Sequence, residues 1–200
     1  CTRNTIRRAL SMLADQMFVQ PIHGKGVRVI WLKGETDMLG ALEEVESFGE
    51  FAKRNNAVAS TEVKSFEHLI CTEQLSRRLG FKVGEELIRV VRVRSLNGSA
   101  RQVDHGYFLA SIAKGLTPEI ATDSIYAYLE HKCGVKVMAS RRTVSVELAN
   151  DEDCSYLDLG KYNCVAVMES QSYTSDGILF EVTHARTHPE IFHYRVNSKR

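Results

Sequence analysis

The sequence predicts an α+β fold in which an antiparallel sheet carries helices on one side. Two turns favour this class, because Asn97-Gly98 and Asp176-Gly177 each separate two runs of strand-forming residues and so join neighbouring antiparallel strands. Several helical patterns lie between these hairpins. The 200 residues, 44% of them apolar, are enough for one or two folded domains. No apolar run approaches the roughly 18–20 residues of a membrane helix, so we expect no membrane partner.

The first 31 residues predict a basic helix followed by a hairpin. Thr2 is suited to be the N-cap of the helix. The apolar residues that recur at helical spacing behind it are Ile6, Ala9, Leu10 and Leu13. Two short strands at 17–22 and 27–31 flank a glycine-containing turn with Lys25 at its tip. This is the second half of a winged helix-turn-helix, so we assign 1–32 to a partial DNA-binding domain and expect its first helices to precede the chain.

Basic residues are concentrated in this part, although the formal net charge of the whole chain is only +1. Residues 1–33 hold six basic side chains and one acid, whereas 34–200 hold 20 basic and 24 acidic ones. Such asymmetry points to a nucleic-acid partner. In a helix-turn-helix the start of the second helix faces base edges, where Arg can pair with guanine and Asn with adenine. The candidate DNA-binding residues are Arg3 and Asn4 for bases, and Arg7, Arg8 and Lys25 for phosphate or the minor groove.

A solvated basic face on an ordinary helix would show the same pattern, so this alternative stays open. The turn at 24–26 favours DNA binding, because it follows the helix where a wing would lie. One such module makes few base contacts. We therefore expect a homodimer that binds operator DNA at two half-sites.

The rest of the chain predicts a linker and a second domain. Residues 33–46 have no clear period and contain glycines and acids, which indicates a linker, and 47–200 form the second domain. The predicted strands are 58–69, 86–96, 101–108, 135–148, 162–174, 178–186 and 192–196. The predicted helices are 72–79, 123–132 and 150–157. A loop that contains Gly115 and Pro118 precedes the second of these helices.

Two arginines in the strand 86–96 suggest an anion site. Arg92 and Arg94 are two residues apart, so their side chains leave the same face of the sheet. Guanidinium groups so close repel each other unless an anion lies between them, and Arg suits phosphate or carboxylate. A strict two-residue turn would pair Arg92 with Val103. We predict instead a three-residue loop at 97–99, because it places Asp104 opposite Arg92. A purely structural ion-pair network is the alternative.

Two serines are candidates to help bind the same anion. Ser124 lies in the first turn of the helix predicted at 123–132, where free backbone N–H groups favour negative charge. Ser47 stands ahead of 48–51 and could begin a short helix with the same property. Each serine could equally be an ordinary N-cap.

The cysteines and histidines predict no special chemistry. The five cysteines are odd in number and form no CxxC pair, which favours reduced thiols in the cytoplasm over disulfides or zinc. The histidines lack zinc-ligand spacing, so we expect no metal and no cofactor. Asp104 and Glu181 could form an acid–base pair of an enzyme acting on a sugar. No nucleophile motif accompanies them, so we expect no catalytic residues.

Several motifs resemble a family of bacterial regulators. The stretches that carry the resemblance are Thr5-Ile6-Arg7-Arg8-Ala9-Leu10, Gly24-Lys25-Gly26-Val27, Arg92-Val93-Arg94, Asp104-His105-Gly106-Tyr107, Ser124-Ile125-Tyr126 and Phe180-Glu181. The first two resemble the end of the DNA-binding domain of GntR-type transcriptional regulators. The rest are similar to the effector-sensing UTRA domain of their HutC subfamily, whose fold is shared with chorismate lyase. Gly115-Leu116-Thr117-Pro118-Glu119-Ile120 and Ser175-Asp176-Gly177 are most similar to trehalose operon repressors.

The resemblance implies a repressor that responds to a metabolite. It implies that the phosphate of a sugar phosphate is held by Ser47 with the neighbouring backbone at Phe48, by Arg92 and Arg94, and by Ser124 and Tyr126. It also implies that Asp104 and Glu181 bind sugar hydroxyls and that Arg186 supplies a further contact. The implied effector is trehalose 6-phosphate. Another sugar phosphate or an organic acid is the alternative.

Overall fold

The computed structural model describes residues 2–31, the backbone of 39–40, and residues 45–194. The chain divides into two compact units, one of residues 1–37 with 195–200 and the other of residues 38–194. Most of the predicted linker, residues 33–46, lies outside the described residues. No described helix has the length and apolar character needed to cross a membrane.

The first unit contains the predicted helix and hairpin. Helix α1 (Arg3–Asp15) begins after Thr2, whose Oγ1 accepts a hydrogen bond from the backbone N–H of Thr5. Strand β1 (Val19–Ile22) pairs antiparallel with β2 (Gly26–Val29). The predicted helix and its cap are thus confirmed. Strand β1 lies within the predicted range 17–22, whereas β2 begins one residue before the predicted range 27–31 and ends two residues before its end.

The second unit is built on a six-stranded sheet in which all neighbouring strands are antiparallel. Its strands in chain order are β4 (Ala59–Ile70), β5 (Glu86–Leu96), β6 (Ser99–Leu109), β7 (Val137–Leu148), β8 (Cys164–Thr174) and β9 (Leu179–Thr187). Their order across the sheet is β4-β5-β6-β9-β8-β7, so the β5–β6 and β8–β9 hairpins lie side by side. This arrangement confirms the predicted α+β class.

Five helices accompany the sheet among the described residues. They are α2 (Phe48–Arg54), α3 (Glu73–Leu79), α4 (Pro118–Ala121), α5 (Ile125–Lys132) and α6 (Asp151–Tyr156). Each of the five helices follows an N-cap residue with a polar side chain. These caps are Ser47, Thr72, Thr117, Ser124 and Asn150. Helix α4 replaces part of the predicted loop, because Thr117 caps it and Pro118 occupies its first turn.

The predicted last strand is only partly described. Strand β10 (His193–Tyr194) pairs in parallel with β3 (Leu39–Gly40), outside the main sheet. Residues 195–196 of the predicted strand lie outside the described part of the chain.

The helices lie on both faces of the sheet, so the expectation of helices on one side is wrong. On one face, Leu157 after α6 packs in a cluster with Val91 and Val103. On the other face, residues of α2 and α5 line a cavity with Arg92. Strand β5 is buried over most of its length instead of at alternate residues, which requires cover on both sides.

The β5–β6 hairpin reaches the predicted register by a different route. Leu96 pairs with Ser99, so the connection is a two-residue turn rather than the predicted three-residue loop. Asn97 and Gly98 both have positive φ, as such a turn requires. The extra residue is Arg101, which forms a bulge, and the register beyond it pairs Arg92 with Asp104 as predicted.

Candidate functional site

A cavity of about 240 Å³ lies on the sheet face that α2 and α5 cover. The predicted ligand-binding residues that line it are Ser47, Phe48, Arg92, Arg94, Asp104, Ser124, Tyr126 and Glu181. They come from strands β5, β6 and β9 of the sheet and from the beginnings of helices α2 and α5. The fold therefore gathers residues that are up to 134 positions apart in the sequence into one concave surface, which is typical of a ligand site.

In this cavity the carboxylate of Asp104 forms ion pairs with two arginines, Arg92 and Arg94. Nη2 of Arg92 lies 2.6 Å from Oδ2 of Asp104, and Nη2 of Arg94 lies 2.7 Å from the same oxygen. The side chains of Arg92 and Asp104 are each 4% exposed and that of Arg94 is 16% exposed. Two guanidinium groups with a single carboxylate leave one positive charge in excess.

Each of the two arginines also has a buried hydrogen-bond donor without an acceptor among the described residues. The Nε atoms of Arg92 and Arg94 are buried and have no hydrogen-bond partner among the described residues. A buried donor without a partner costs free energy, about 1–3 kcal/mol or more when the group is charged. An anion in the cavity would supply both the missing charge and the missing acceptors.

The charge state of this cluster follows from its contacts. Burial alone would raise the pKa of Asp104, but the charges of Arg94 and Arg92 outweigh it and lower the pKa to about 2. Burial lowers the pKa of Arg92, and the neighbouring charge of Arg94 acts in the same direction. Asp104 is therefore ionised at neutral pH and forms ion pairs with both arginines.

Tyr126 and Glu181 form a second polar group in the cavity. The hydroxyl of Tyr126 donates to Oε2 of Glu181 and lies 3.1 Å from Oγ of Ser172. Burial raises the pKa of Glu181, although the hydrogen bonds from Tyr126 and Ser172 oppose this shift. Burial also raises the pKa of Tyr126, with the charge of Glu181 adding to it. Polar oxygens of this kind suit the hydroxyl groups of a ligand.

Both predicted serines act as helix caps. Oγ of Ser47 accepts from the N–H of Glu50 at 3.3 Å, and Oγ of Ser124 accepts from the N–H of Ala127 at 3.2 Å. Phe48, next to the first serine, lies with its ring centroid 5.2 Å from Cζ of Arg94, a distance typical of a cation–π contact. The caps thus hold both serines at the edge of the cavity.

Arg186 lies outside the cavity, which corrects the expectation that it adds a contact there. Its Nε and Nη2 each donate to Asp153 at 2.9 Å, its Nη1 donates to Glu147, and Nη2 also donates to the carbonyl of Leu148 at 3.2 Å. Residues 181 and 186 of β9 are five positions apart, so they leave opposite faces of the strand. The alternation of the strand was sufficient to predict this separation.

Several lining residues escaped the sequence analysis. They are Thr61, Gln102, Ser140, Arg142, Ser170, Thr183, Thr187 and Tyr194. The sequence did contain a signal for these residues, because β7 and β8 have polar residues at alternate positions. Ser140 and Arg142 of β7, and Ser170 and Ser172 of β8, lie on the face of the sheet that bears the cavity. Sequence alone did not show which strands would lie beside β6.

The predicted DNA-binding residues remain on the surface of the first unit. Arg3, Asn4, Arg7 and Arg8 are exposed on α1, and Lys25 is exposed in the turn between β1 and β2. Within the described residues no group of three or more His, Cys, Asp or Glu side chains is placed to hold a metal ion.

Comparison with known proteins gives consistent matches. The family model of the UTRA domain matches residues 54–193. The HTH-type transcriptional regulator TreR of Bacillus subtilis is 29% identical over 193 residues, which are 96% of this chain and 80% of that protein. The crystal structure of the possible transcriptional regulator YydK of the same organism covers all of this chain and 84% of its own, at a TM-score of 0.74 and 23% identity. The effector-binding domain of the Bacillus subtilis trehalose repressor covers 70% of this chain and 98% of its own, at a TM-score of 0.63 and 27% identity.

Proposed function

The chain belongs to the UTRA-domain family and is a transcriptional regulator of the GntR type, and from this premise we propose that its cavity binds a phosphorylated sugar. The relatives are named as transcriptional regulators, so the enzymatic role considered for Asp104 and Glu181 is set aside. One observation carries the proposal. Arg92 and Arg94 share a single carboxylate and keep both Nε atoms without a partner in the described part of the chain.

The phosphate end is proposed to lie against these arginines. A phosphate monoester carries a charge of about −1.5 to −2 at neutral pH and has three strong acceptor oxygens, so it matches a surplus of charge and of donors. Ser47 and Ser124 stand at the beginnings of α2 and α5 beside the arginines. Their hydroxyls and the neighbouring backbone at Phe48 complete the proposed phosphate contacts.

The sugar end is proposed to lie against the remaining polar lining. Tyr126, Glu181 and Asp104 offer oxygen atoms, and the further lining side chains are rich in Ser and Thr. We propose trehalose 6-phosphate as the effector, because the motifs most similar to trehalose operon repressors accompany 29% identity to TreR. Another sugar phosphate or an organic acid would use the same cationic end.

The first unit is proposed to bind operator DNA, with two copies of the chain acting as a homodimer on two half-sites. Its exposed basic residues Arg3, Arg7, Arg8 and Lys25, with Asn4, support this role. Binding of the effector then changes DNA affinity only if it favours one arrangement of the dimer over another. Coupling of this kind is worth typically about 1–3 kcal/mol.

The effector is tested by calorimetry and thermal unfolding of the full chain with trehalose 6-phosphate, trehalose and inorganic phosphate. We expect trehalose 6-phosphate to bind and raise the melting temperature, and trehalose without phosphate to do neither. Arg94→Gln should weaken binding about tenfold or more, as the loss of a charge-assisted hydrogen bond predicts. Arg89→Gln is the matched control, because Arg89 lies on the same strand but pairs with Glu67 away from the cavity.

Each outcome is decisive for one part of the proposal. If neither a sugar phosphate nor inorganic phosphate binds, the phosphate site is refuted. If another sugar phosphate or an organic acid binds in an Arg94-dependent manner and trehalose 6-phosphate does not, only the identity of the effector is refuted. Operator binding measured in the same samples tests the regulatory coupling.

A further inference from the structure

A second concave surface lies on the face of the sheet opposite the cavity of the proposed function. It is a groove between α3 and α6 with a volume of about 490 Å³. Side chains from five neighbouring strands, from β5 across the sheet to β7, form its floor. Small-molecule sites typically have volumes of about 300–1,000 Å³, so this surface, which we call the α3–α6 groove, has the size of a ligand site.

The strand register aligns five side chains in one row across this floor. Arg89 pairs with Tyr107, Tyr107 with Val182, Val182 with Gln171, and Gln171 with Arg141. Neighbouring strands lie about 4.8 Å apart, so the row is about 19 Å long. An arginine therefore stands at each end of the row, and the side chains between them carry no charge.

A further arginine joins the row at its β6 position. Nη2 of Arg78, in α3, donates to the hydroxyl of Tyr107 at 2.9 Å, and Cζ of Arg78 lies 5.6 Å from the centroid of that ring. Arg89 has a carboxylate partner, because its Nη1 lies 3.3 Å from Oε1 of Glu67. Arg78 is exposed and forms no ion pair with any described residue. This end of the groove thus has one positive charge that no carboxylate balances.

The other end of the row has the same excess of positive charge. Arg141 is exposed on β7 and also lacks an ion pair within the described part of the chain. The carboxylates that line the groove lie one row further along the strands and contact histidines instead. Oε2 of Glu152 lies 2.8 Å from Nε2 of His105, and Oε1 of Glu169 lies 3.6 Å from Nε2 of His184. Both ends of the arginine row are therefore suited to an anion.

The middle of the groove is apolar. Leu79, Tyr107 and Val182 line it and are only 5%, 8% and 8% exposed. From Tyr107 on β6 to Arg141 on β7 there are three strand spacings, or about 14 Å. A hydrocarbon chain of several carbon atoms would cover this apolar surface and remove it from water.

We propose that the α3–α6 groove binds an elongated small molecule with an anionic group at each end and a hydrocarbon middle, of the class of the linear dicarboxylates. One carboxylate lies against Arg78 and the other against Arg141, and the chain between them crosses Tyr107 and Val182. Arginine suits these ends because its guanidinium group can donate two parallel hydrogen bonds to a carboxylate. This site is separate from the cavity of the proposed function and does not depend on it.

The first test is a titration of the native full chain with dicarboxylates of increasing length, followed by NMR spectroscopy, which detects weak binding. The series runs from succinate through adipate and suberate to sebacate. We expect affinity to rise with length, because succinate is too short to reach both arginines. Octanoate has the chain length of suberate but a single carboxylate. It should bind about tenfold or more weakly than suberate, as the loss of one charge-assisted hydrogen bond predicts.

Variants of the two arginines test which side chains hold the ends. Arg78→Gln and Arg141→Gln should each weaken suberate binding about tenfold or more. Octanoate binding should change far less, because a single carboxylate can use the remaining arginine. Arg77→Gln is the matched control, since Arg77 is exposed next to Arg78 but does not line the groove. This control and the cavity variant Arg94→Gln should bind suberate like the native chain.

The outcomes separate this groove from the cavity. The proposal is overturned if no dicarboxylate binds, or if suberate binds no more tightly than octanoate. It is also overturned if suberate binding is lost in Arg94→Gln and kept in the groove variants, because the ligand then occupies the cavity. The length series uses the native chain, so it is decisive even if a variant does not fold.

A peptide tests the other kind of occupant that two separated cations could attract. The probe is an acetylated peptide with a glutamate at each end and leucines between them. If this peptide binds in a manner that depends on Arg78 and Arg141 while no dicarboxylate does, the groove is a peptide site and the small-molecule proposal is wrong. The experiment with trehalose 6-phosphate decides the proposed function independently of each of these results.

Discussion

Two buried arginine clusters lie on opposite faces of one sheet, and they differ in how their charges are balanced. On the cavity face, Arg92 and Arg94 share the single carboxylate of Asp104. On the other face, a single arginine, Arg186, forms ion pairs with two carboxylates, those of Asp153 and Glu147. The first cluster has more cations than anions, and the second has more anions than cations.

This difference distinguishes a structural ion pair from the proposed ligand site. Arg186 uses Nε, Nη1 and Nη2 in hydrogen bonds, so nothing further is needed to satisfy it. Arg92 and Arg94 keep buried Nε atoms without a described partner. Because buried charges are normally paired, an incomplete cluster beside a cavity indicates that a ligand completes it. The hydrogen bonds of buried arginines are therefore more informative about function than their presence.

Removal of Arg186 should have the largest effect on stability. Arg186→Met leaves Asp153, whose side chain is fully buried, without its guanidinium partner. We expect a loss of about 3–5 kcal/mol in the free energy of unfolding, measured by urea denaturation. Ligand affinity of the folded protein should be unchanged. The double variant Arg186→Met/Asp153→Asn should recover part of the loss, and a loss below about 1 kcal/mol would show that the cluster is not structural.

Removal of Asp104 should destabilise less and should be reversed by an anion. Asp104→Asn leaves Arg92 and Arg94 without a carboxylate, which should cost about 1.5–3 kcal/mol in the absence of ligand. Inorganic phosphate should then raise the melting temperature of the variant more than that of the native chain, because phosphate replaces the lost charge. Asp153→Asn is the matched control on the other face and should show no such rescue. Equal phosphate responses in all three proteins would contradict the assigned role of the cavity arginines.

The acid sensitivity of the cavity cluster should be visible in stability measurements. Its folded pKa of about 2 is below the value of about 3.9 in an unfolded chain, so ionised Asp104 stabilises the fold above the unfolded pKa. This contribution, about 2.6 kcal/mol, is lost as the pH falls from about 4 through about 2. The titratable groups that face Asp104 are Arg92, Arg94 and Glu181. Urea denaturation across this range should show a smaller decline for Asp104→Asn, and parallel curves would contradict the shift.

Strand alternation explains how much of this comparison could be predicted from the sequence. The spacing of Arg92 and Arg94 placed both on one face, and the choice of Asp104 as their partner matches the structure. The reason given for that pairing was wrong, because a bulge at Arg101 sets the register and no residue pattern marks it. The resemblance alone places Arg186 in the site, although its odd separation from Glu181, five positions along β9, already indicates the other face of the sheet.

The missing residues of the cavity required tertiary information. Arg142 and Ser140 lie on β7, which reaches the cavity only because the β8–β9 hairpin inserts beside β6. That strand order is set by packing across the whole sheet and leaves no local signal. Helix starts were easier to predict. Thr2 caps α1 as expected, and the helices predicted to begin at residues 72 and 150 begin one residue later, with Thr72 and Asn150 as their caps.

The smallest expected effects come from two helix caps, one for each face. Ser124 caps α5 beside the cavity, and Asn150 caps α6 beside Arg186. Replacement of either by Ala should cost about 1 kcal/mol in stability, because each cap satisfies a backbone N–H at the beginning of its helix. Their stability losses should therefore be similar. Calorimetry with trehalose 6-phosphate separates them, since only Ser124→Ala should also weaken binding. If the two variants bind equally well, Ser124 is a cap and nothing more, and the phosphate contacts reduce to the arginines and the residues around Ser47.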